Sequence, residues 1–198
     1  VGELRNWRVC ETTTGAAIRR ISKGRTAEMV AAVTKLRSNL DLVYAASKSR
    51  VPARCNTTIG LRGTLSTRLQ PNHPTDSVEG ITASVLEGLS YGCGDAVIGL
   101  NPAGDTVDGT AEVLKRFDDI KNRLHIPTQI CVLSHITTQI EAVRRGAPCD
   151  MIFQSIAGSE KGNLAFGFTT ENIREAKQLL ERQGTAAGPN LLYFETGQ

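Results

Sequence analysis

Five apolar, strand-like stretches of this sequence are each followed by polar side chains of a kind that is rarely buried in a protein core. In a barrel of parallel strands that alternate with helices, the strand ends gather on one face, where such enzymes carry their chemistry. The last position lies three residues before Gln198, so we expect a site that is interrupted at this end of the chain. In chain order, the five sets are Arg68 and Gln70, Asn101, Ser134 and His135, Gln154 and Ser155, and Glu195.

Arg68 and Gln70 combine a cation with a neutral amide that both donates and accepts hydrogen bonds. Because the two residues are two positions apart, a strand would present both side chains on the same face. A structural ion pair of Arg68 at the rim of a barrel is the alternative. Asn101, which is followed by Pro102, could bind a hydroxyl group or cap a turn.

Glu195 follows four apolar residues, and we therefore predict that it lies at the edge of a buried strand. A carboxylate in that position must be paired, protonated or bound to a cationic ligand. A rim salt bridge is one alternative. A segment of an expression tag is another, but the preceding helix and strand pattern runs into Glu195 without a break.

Two further patterns are less specific. Gln154 and Ser155 precede a loop with Gly158 and Gly162, where a large ligand could approach the backbone, although a polar turn fits equally well. The three histidines lack the spacing of metal ligands, so we predict no metal site and three structural histidines.

Composition excludes several functional classes. The net charge of +3 is small and dispersed, which argues against a nucleic-acid or anionic-membrane partner. No apolar run approaches the roughly 20 residues that span a bilayer. The five cysteines are scattered and form no C-x-x-C pair, which fits free thiols in a reducing cytoplasm better than zinc or disulfides.

Helices and strands alternate along most of the chain. Spacings of 20 to 41 residues between successive strand ends leave room for one crossover helix each, which is typical of parallel βαβ units. No G-x-G-x-x-G follows the first strand, so a barrel is favoured over a dinucleotide-binding fold. We predict helices over 26–38, 77–89, 110–125, 137–145 and 170–183, a second helix or a turn over 40–47, and strands over 57–59, 68–70, 96–100, 129–133, 151–153 and 191–194.

Several motifs occur together, in one order, from about Trp7 to Gln198. Their combination resembles the large, catalytic subunit of ethanolamine ammonia-lyase, an adenosylcobalamin-dependent enzyme that converts ethanolamine to acetaldehyde and ammonia. The joint match is highly specific, although no single motif would suffice. The motifs are Thr57–Gly60, Arg68–Asn72, Gly94–Gly99, Asn101–Pro102, Thr137–Ala142, Arg144–Pro148, Phe153–Ile156 and Tyr193–Gln198.

The resemblance implies an α/β fold, namely an eight-stranded TIM barrel of which this chain carries about the first five strands. We expect an N-terminal helical segment over residues 1–55 and an incomplete barrel domain over residues 56–198. With its barrel incomplete and the family's second substrate carboxylate beyond Gln198, we expect this polypeptide alone to be inactive and prone to aggregate.

The resemblance also implies roles for individual residues in substrate binding. Arg68, Asn101 and Glu195 match positions that approach the hydroxyl group of ethanolamine. Gln70 and Glu195 match positions that approach its amino group.

Cofactor contacts follow from the resemblance in the same way. Pro102 and Gln154 match positions that contact the cobalamin, and Phe166 is expected to help enclose its adenosyl group. The implied mechanism is a radical one that adenosylcobalamin (coenzyme B12) initiates.

The implied partners are ethanolamine, a separate small subunit and further copies of the large subunit. The implied location is the bacterial cytoplasm, with association with a microcompartment left open. A cobalamin-independent barrel lyase or aldolase is the first alternative, and a strand-end lysine that forms a Schiff base would support it. A non-catalytic scaffold domain is the second.

Overall fold

The computed structural model describes residues 13–196 and shows a mixed α/β protein. No helix within that range is both long and apolar enough to cross a membrane. The helices are α1 (Gly15–Ser22), α2 (Ala27–Thr34), α3 (Asn39–Lys48), α4 (Val78–Ser90), α5 (Val107–Arg123), α6 (Ile136–Arg144), α7 (Glu160–Ala165) and α8 (Thr170–Gln183). The strands are β1 (Ala53–Arg54), β2 (Thr58–Ile59), β3 (Arg68–Leu69), β4 (Val97–Leu100), β5 (Ile130–Val132), β6 (Ile152–Ile156) and β7 (Leu192–Thr196).

The chain divides into two compact units between Val51 and Pro52. The first contains α1 to α3, whose N-termini are capped by the side chains of Thr14, Thr26 and Ser38. These caps satisfy backbone N–H groups that have no partner within the helix.

The second unit carries the parallel strands. β3 pairs with β4, β4 with β5, and β6 with β7, all in parallel, while β1 and β2 form a small antiparallel ribbon. The predicted parallel strand order is therefore confirmed within the two sheets that β3 to β7 form. The described strands do not form a closed barrel, because β5 and β6 are not joined by a ladder.

A side-chain amide separates the two parallel sheets. In the register of β6 with β7, the N–H and C=O groups of Phe153 face β5. Both are taken by Gln139 of α6: its Nε2 donates to Phe153 O at 2.8 Å, and Phe153 N donates to its Oε1 at 2.9 Å. One backbone bond remains between the sheets, from Met151 N to Ile130 O at 3.3 Å. The side chain of Gln139 thus forms the hydrogen bonds that β5 would otherwise make to Phe153 of β6.

The central strands β4 and β5 are buried on both faces, as continuous apolar runs in parallel sheets are. One face packs against α4, α5, α6 and α8. The largest fully buried side chains in this core include Phe117 of α5, Ile98 of β4 and Ile152 of β6. The opposite face carries a smaller cluster. Its buried members are Cys55, Val97, Cys131, Met151 and Phe153, with Leu133, Ala186 and Tyr193 packed against them.

A buried ion pair closes the amino ends of the strands. Asp150 is fully buried and accepts hydrogen bonds from Lys121 Nζ at 2.8 Å, Ile130 N at 3.0 Å and Thr185 Oγ1 at 2.7 Å. Burial alone would lower the pKa of Lys121, but its bonds and charge interactions with Asp150 and Asp118 outweigh burial and raise it. The lysine is therefore held as a cation.

Asp150→Ala should destabilise the second unit by about 3–5 kcal/mol, because it leaves a buried lysine without its main partner. Denaturant unfolding of the chain measures this free energy. The matched control is Asp119→Ala, which breaks the exposed pair with Arg123 on α5 and should cost at most about 1 kcal/mol. Equal losses in the two variants would contradict the assigned role of Asp150.

Candidate active site

Arg68 is the most unusual charged residue on the inner face of the strands, which is the face of the smaller cluster. Its Nη1 donates to Tyr193 Oη at 3.0 Å, and its guanidinium carbon lies 5.6 Å from the centre of the Tyr193 ring. Its Nε and Nη2 are buried and have no hydrogen-bond partner among the described residues. No carboxylate in residues 13–196 pairs with it, so the structural ion pair considered from the sequence is absent from that range.

The Arg68–Tyr193 hydrogen bond requires a curved wall of strands. The two residues belong to β3 and β7, which are four strand spacings apart, or about 19 Å in a flat sheet. An arginine and a tyrosine side chain joined by a 3.0 Å bond do not reach that far. The five strands must therefore bend around the face that carries Arg68 and Tyr193, which makes this face concave.

Gly99 of β4 provides space beside the guanidinium. A Cβ atom at this position would lie 3.5 Å from Arg68 Nε and 3.3 Å from Leu133 Cδ1, so any longer side chain would grow into the space that Arg68 occupies. Cys131 lies on the same inner face. Burial raises the pKa of its thiol well above the ordinary value of 9.0, and the positive charge of Arg68 opposes that shift only in part.

Asn101 and Pro102 follow β4 directly, with Asn101 exposed and Pro102 half-buried. The backbone N–H of Asn101 donates to Asn72 Oδ1 at 2.9 Å, which ties this position to the loop after β3. Gln70 lies at the start of that same loop and is exposed. The structure thus brings Gln70 and Asn101 onto two adjoining loops, with their amides accessible.

Side chains connect each strand-end loop to the next, and we call these contacts the loop links. Asp76 accepts from Ala103 N and from Gly104 N, both at 2.8 Å. Asp105, in the loop after β4, accepts from His135 N at 3.1 Å. Together they fix the backbone of the loop that contains Asn101.

His135 forms the last of the loop links. Its Nδ1 accepts from Thr137 N at 3.3 Å and caps α6, so its Nε2 carries the proton and donates to Phe166 O at 2.9 Å. Ser134 is buried against Thr110, with 2.6 Å between their hydroxyl oxygens. Both residues thus hold the structure together, which agrees with the structural role predicted for His135.

Glu195 departs from the expected burial. It lies on β7, two residues after Tyr193 and therefore on the same face by strand alternation, but its side chain is exposed. The prediction of a buried strand edge is wrong for the described residues, because the last three residues of β7 are exposed. No cation among residues 13–196 pairs with the carboxylate of Glu195.

Gln154, which is expected to contact a cofactor, is buried and bonded to other parts of the protein. Its side chain is buried, and Oε1 accepts from Ile136 N at 3.1 Å at the start of α6, while Nε2 donates to Ser155 O at 3.0 Å. Phe166, in contrast, is exposed, as is Leu164 in the preceding turn.

Sequence reasoning missed two residues that the structure places at this site. Tyr193 holds Arg68, and the available signal was its position two residues before Glu195 on the same strand. Asp76 holds the Asn101 loop from an unusual backbone conformation, with φ of 52°. No spacing pattern predicted that contact, because it joins two irregular loops.

Comparison with known proteins gives a consistent result. The family model described as "Ethanolamine ammonia lyase large subunit" matches residues 1–198. The chain is 50% identical, over all 198 residues, to the ethanolamine ammonia-lyase large subunit of Escherichia coli (strain K12) and to that of Salmonella typhimurium (strain LT2). It spans 44% of the length of each of these relatives.

Asp76→Ala should loosen the loop that carries Asn101, because two backbone N–H groups lose a charged acceptor. The amides of Ala103 and Gly104 are expected to exchange with deuterium at least about tenfold faster, since a hydrogen bond to a charged group contributes roughly 1.5–3 kcal/mol. The control is Asp108→Ala, whose carboxylate is 93% exposed on α5. Unchanged exchange at both amides would contradict the loop link.

The second unit should lose stability as pH rises above about 9. Burial raises the pKa of Cys55 from an ordinary value of 9.0 to about 11, and it also raises the pKa values of Cys131 and Cys149 well above 9.0. The folded state therefore keeps protons that the unfolded chain loses, and the unfolding free energy falls through this window. Denaturant midpoints measured under reductant between pH 7 and 10 test this.

In Cys55→Ala the fall with pH should be shallower than in the unmodified chain, because one of the buried thiols is gone. Cys93→Ala, at a partly exposed position, is the matched control. A pH dependence that is identical in both variants would contradict the assignment to buried thiols.

Proposed function

This chain belongs to the family of ethanolamine ammonia-lyase large subunits, and on that basis we propose that the protein carrying it converts ethanolamine to acetaldehyde and ammonia. The chain spans 44% of its relatives' length, so the activity is proposed for a large subunit of that length assembled with its partners. The reaction makes the protein a carbon–nitrogen lyase.

The single structural observation that supports this function is the pair of buried, unpartnered donors on Arg68. A buried N–H group of a cation without an acceptor is costly, so a ligand that supplies the acceptor would bind there favourably. The hydroxyl oxygen of a small amino alcohol is an acceptor of suitable size. We therefore assign Arg68 to the substrate hydroxyl.

The other predicted substrate residues complement the remaining parts of ethanolamine. Glu195 offers a carboxylate without a protein partner in the described range, on the same strand face as Tyr193, and such a group attracts an ammonium. The exposed amides of Gln70 and Asn101 can orient the substrate, because each both donates and accepts. In this proposal Arg68, Asn101 and Glu195 approach the hydroxyl, and Gln70 and Glu195 approach the amino group.

The fold that we propose for the complete subunit is an eight-stranded barrel. Three properties of the described strands support it: the parallel order within the two sheets that β3 to β7 form, the bond that joins β5 to β6, and the curvature that the Arg68–Tyr193 contact requires. We propose residues 1–55 as a helical approach and 56–198 as part of the barrel.

The residues near the strand-end loops partly fit adenosylcobalamin. The periphery of a corrin presents amides and methyl groups, and this region offers the exposed amide of Asn101, the half-buried Pro102 and the exposed ring of Phe166. Gln154 fits less directly, because protein partners already bind both ends of its amide. When bound, the cofactor would supply the radical that removes hydrogen from the substrate.

The contribution of the protein itself is to bind, orient and shield. Arg68 donates hydrogen bonds to the substrate oxygen, and these bonds strengthen as that oxygen gains negative character during the reaction. Glu195 keeps the amino group close to its carboxylate. A concave wall of strands limits the access of water to reactive species.

The proposed partners are a small subunit, which the name "large subunit" of the relatives implies, and further copies of the large subunit. We propose a bacterial cytoplasmic location, by analogy with the bacterial relatives, which a microcompartment could enclose.

A Schiff-base lyase finds little support. Among the described lysines Lys121 is buried near the strands, but it lies at their amino ends and is paired with Asp150. Its pKa is raised, whereas an amine that attacks a carbonyl needs a lowered one.

Replacement of Arg68 tests the proposal directly in the complete large subunit assembled with its small subunit. Arg68→Ala should lower kcat/KM for ethanolamine by about 100-fold or more, the usual loss when a preorganised donor to a developing charge is removed. Release of acetaldehyde measures the rate. Arg123→Ala, on the exposed end of α5, is the matched control and should retain full activity.

Absence of turnover in the unmodified assembly with adenosylcobalamin would contradict the proposed function. Full activity of Arg68→Ala would contradict the assigned role of Arg68 while leaving the reaction in place.

A further inference from the structure

Tyr193 is a candidate for a role that neither the family comparison nor the sequence assigns. It lies on β7, and its hydroxyl oxygen accepts the hydrogen bond from Arg68 Nη1 at 3.0 Å. Its ring packs edge-to-face against Phe153 of the neighbouring strand, with 5.5 Å between ring centres and 68° between ring planes. The phenol is therefore held at both ends.

The geometry of this contact decides which donors of Arg68 remain available. A guanidinium has five N–H donors in a fixed planar fork, so fixing one nitrogen and the plane fixes the direction of the others. Tyr193 takes Nη1, and its ring lies 5.6 Å from the guanidinium carbon, within the range of a cation–π contact. The nitrogens left without a partner are Nε and Nη2.

A tyrosine suits this position better than a charged partner would. A carboxylate would neutralise the cation and compete for two of its donors at once, as bidentate arginine–carboxylate pairs do. The phenol takes a single donor and leaves the positive charge uncompensated. Tyr193 thus orients Arg68, while the positive charge and the remaining N–H donors stay available to a ligand.

We propose that Tyr193 is a positioning residue that aims Nε and Nη2 of Arg68 at the hydroxyl oxygen of the substrate. This inference rests on the proposed function, because it takes ethanolamine as the ligand. It adds that recognition of the hydroxyl group, rather than of the amino group, depends on Tyr193.

The test compares two ligands that differ only in that hydroxyl group. Ethanolamine and ethylamine both carry the ammonium, but ethylamine has no oxygen for Arg68 to bind. Equilibrium binding of each is measured by calorimetry in the complete large subunit assembled with its small subunit. Cyanocobalamin replaces the active cofactor, so no turnover interferes.

Tyr193→Phe keeps the ring and removes only the acceptor. It should weaken ethanolamine binding by about tenfold and change ethylamine binding by less than about twofold. In the background of Arg68→Ala, the same substitution should cause no further loss of ethanolamine binding, because the two residues act as one unit. Tyr91→Phe, at a tyrosine that is 76% exposed, is the matched control.

The outcomes are distinguishable. Equal weakening of both ligands would show that Tyr193 only maintains the shape of the pocket, and unchanged ethanolamine binding would show that Arg68 needs no support; either result overturns the inference. If the unmodified assembly fails to bind ethanolamine, the proposed function fails and the inference falls with it. The denaturant midpoint of Tyr193→Phe should stay near that of the unmodified protein.

Discussion

The buried guanidinium of Arg68 is the constraint around which the inner face of this fold is arranged. Taking a cation out of water is expensive unless partners replace its hydration. Here one donor meets the Tyr193 hydroxyl, while Nε and Nη2 have no partner among the described residues. The contact with β7 requires a curved wall, and the missing side chain of Gly99 leaves the space that the guanidinium fills. The curvature of the strands, the absence of a side chain at Gly99 and the hydroxyl of Tyr193 therefore all accommodate the guanidinium of Arg68.

Asp150 and Arg68 are both buried charged groups, but only Asp150 has a full set of partners among the described residues. Asp150, at the amino ends, receives three hydrogen bonds, one of them from Lys121, so its burial is compensated within the protein. Within residues 13–196, Arg68 has only the neutral phenol of Tyr193 as a hydrogen-bond partner. A paired buried charge contributes to the integrity of a fold, whereas an incompletely paired one stores free energy that a ligand can recover. The described residues thus separate a structural centre from the proposed binding centre.

The regular elements were largely predictable because they depend on local patterns. The stripe of apolar residues at helical spacing gave α8 its observed bounds of Thr170–Gln183, and continuous apolar runs located β4 and β5. The start of α5 was placed three residues late, since Thr106, which caps it by accepting from Gly109 N, precedes the apolar stripe. The short helices α1 and α7 were not predicted.

The features that sequence could not supply all depend on contacts between distant residues. Gln139 interrupts the ladder between β5 and β6 with a side-chain amide, although nothing in its helix distinguishes it from a solvated glutamine. Glu195 is exposed although four apolar residues precede it, because its burial depends on the strands beside β7, of which the described residues supply only β6. In the sequence Tyr193 looks like one more apolar strand residue, and only the folded structure shows its contact with Arg68 of β3. The polar strand ends thus marked the region of the site, but the orientation of the central cation depends on a residue that only the folded chain identifies.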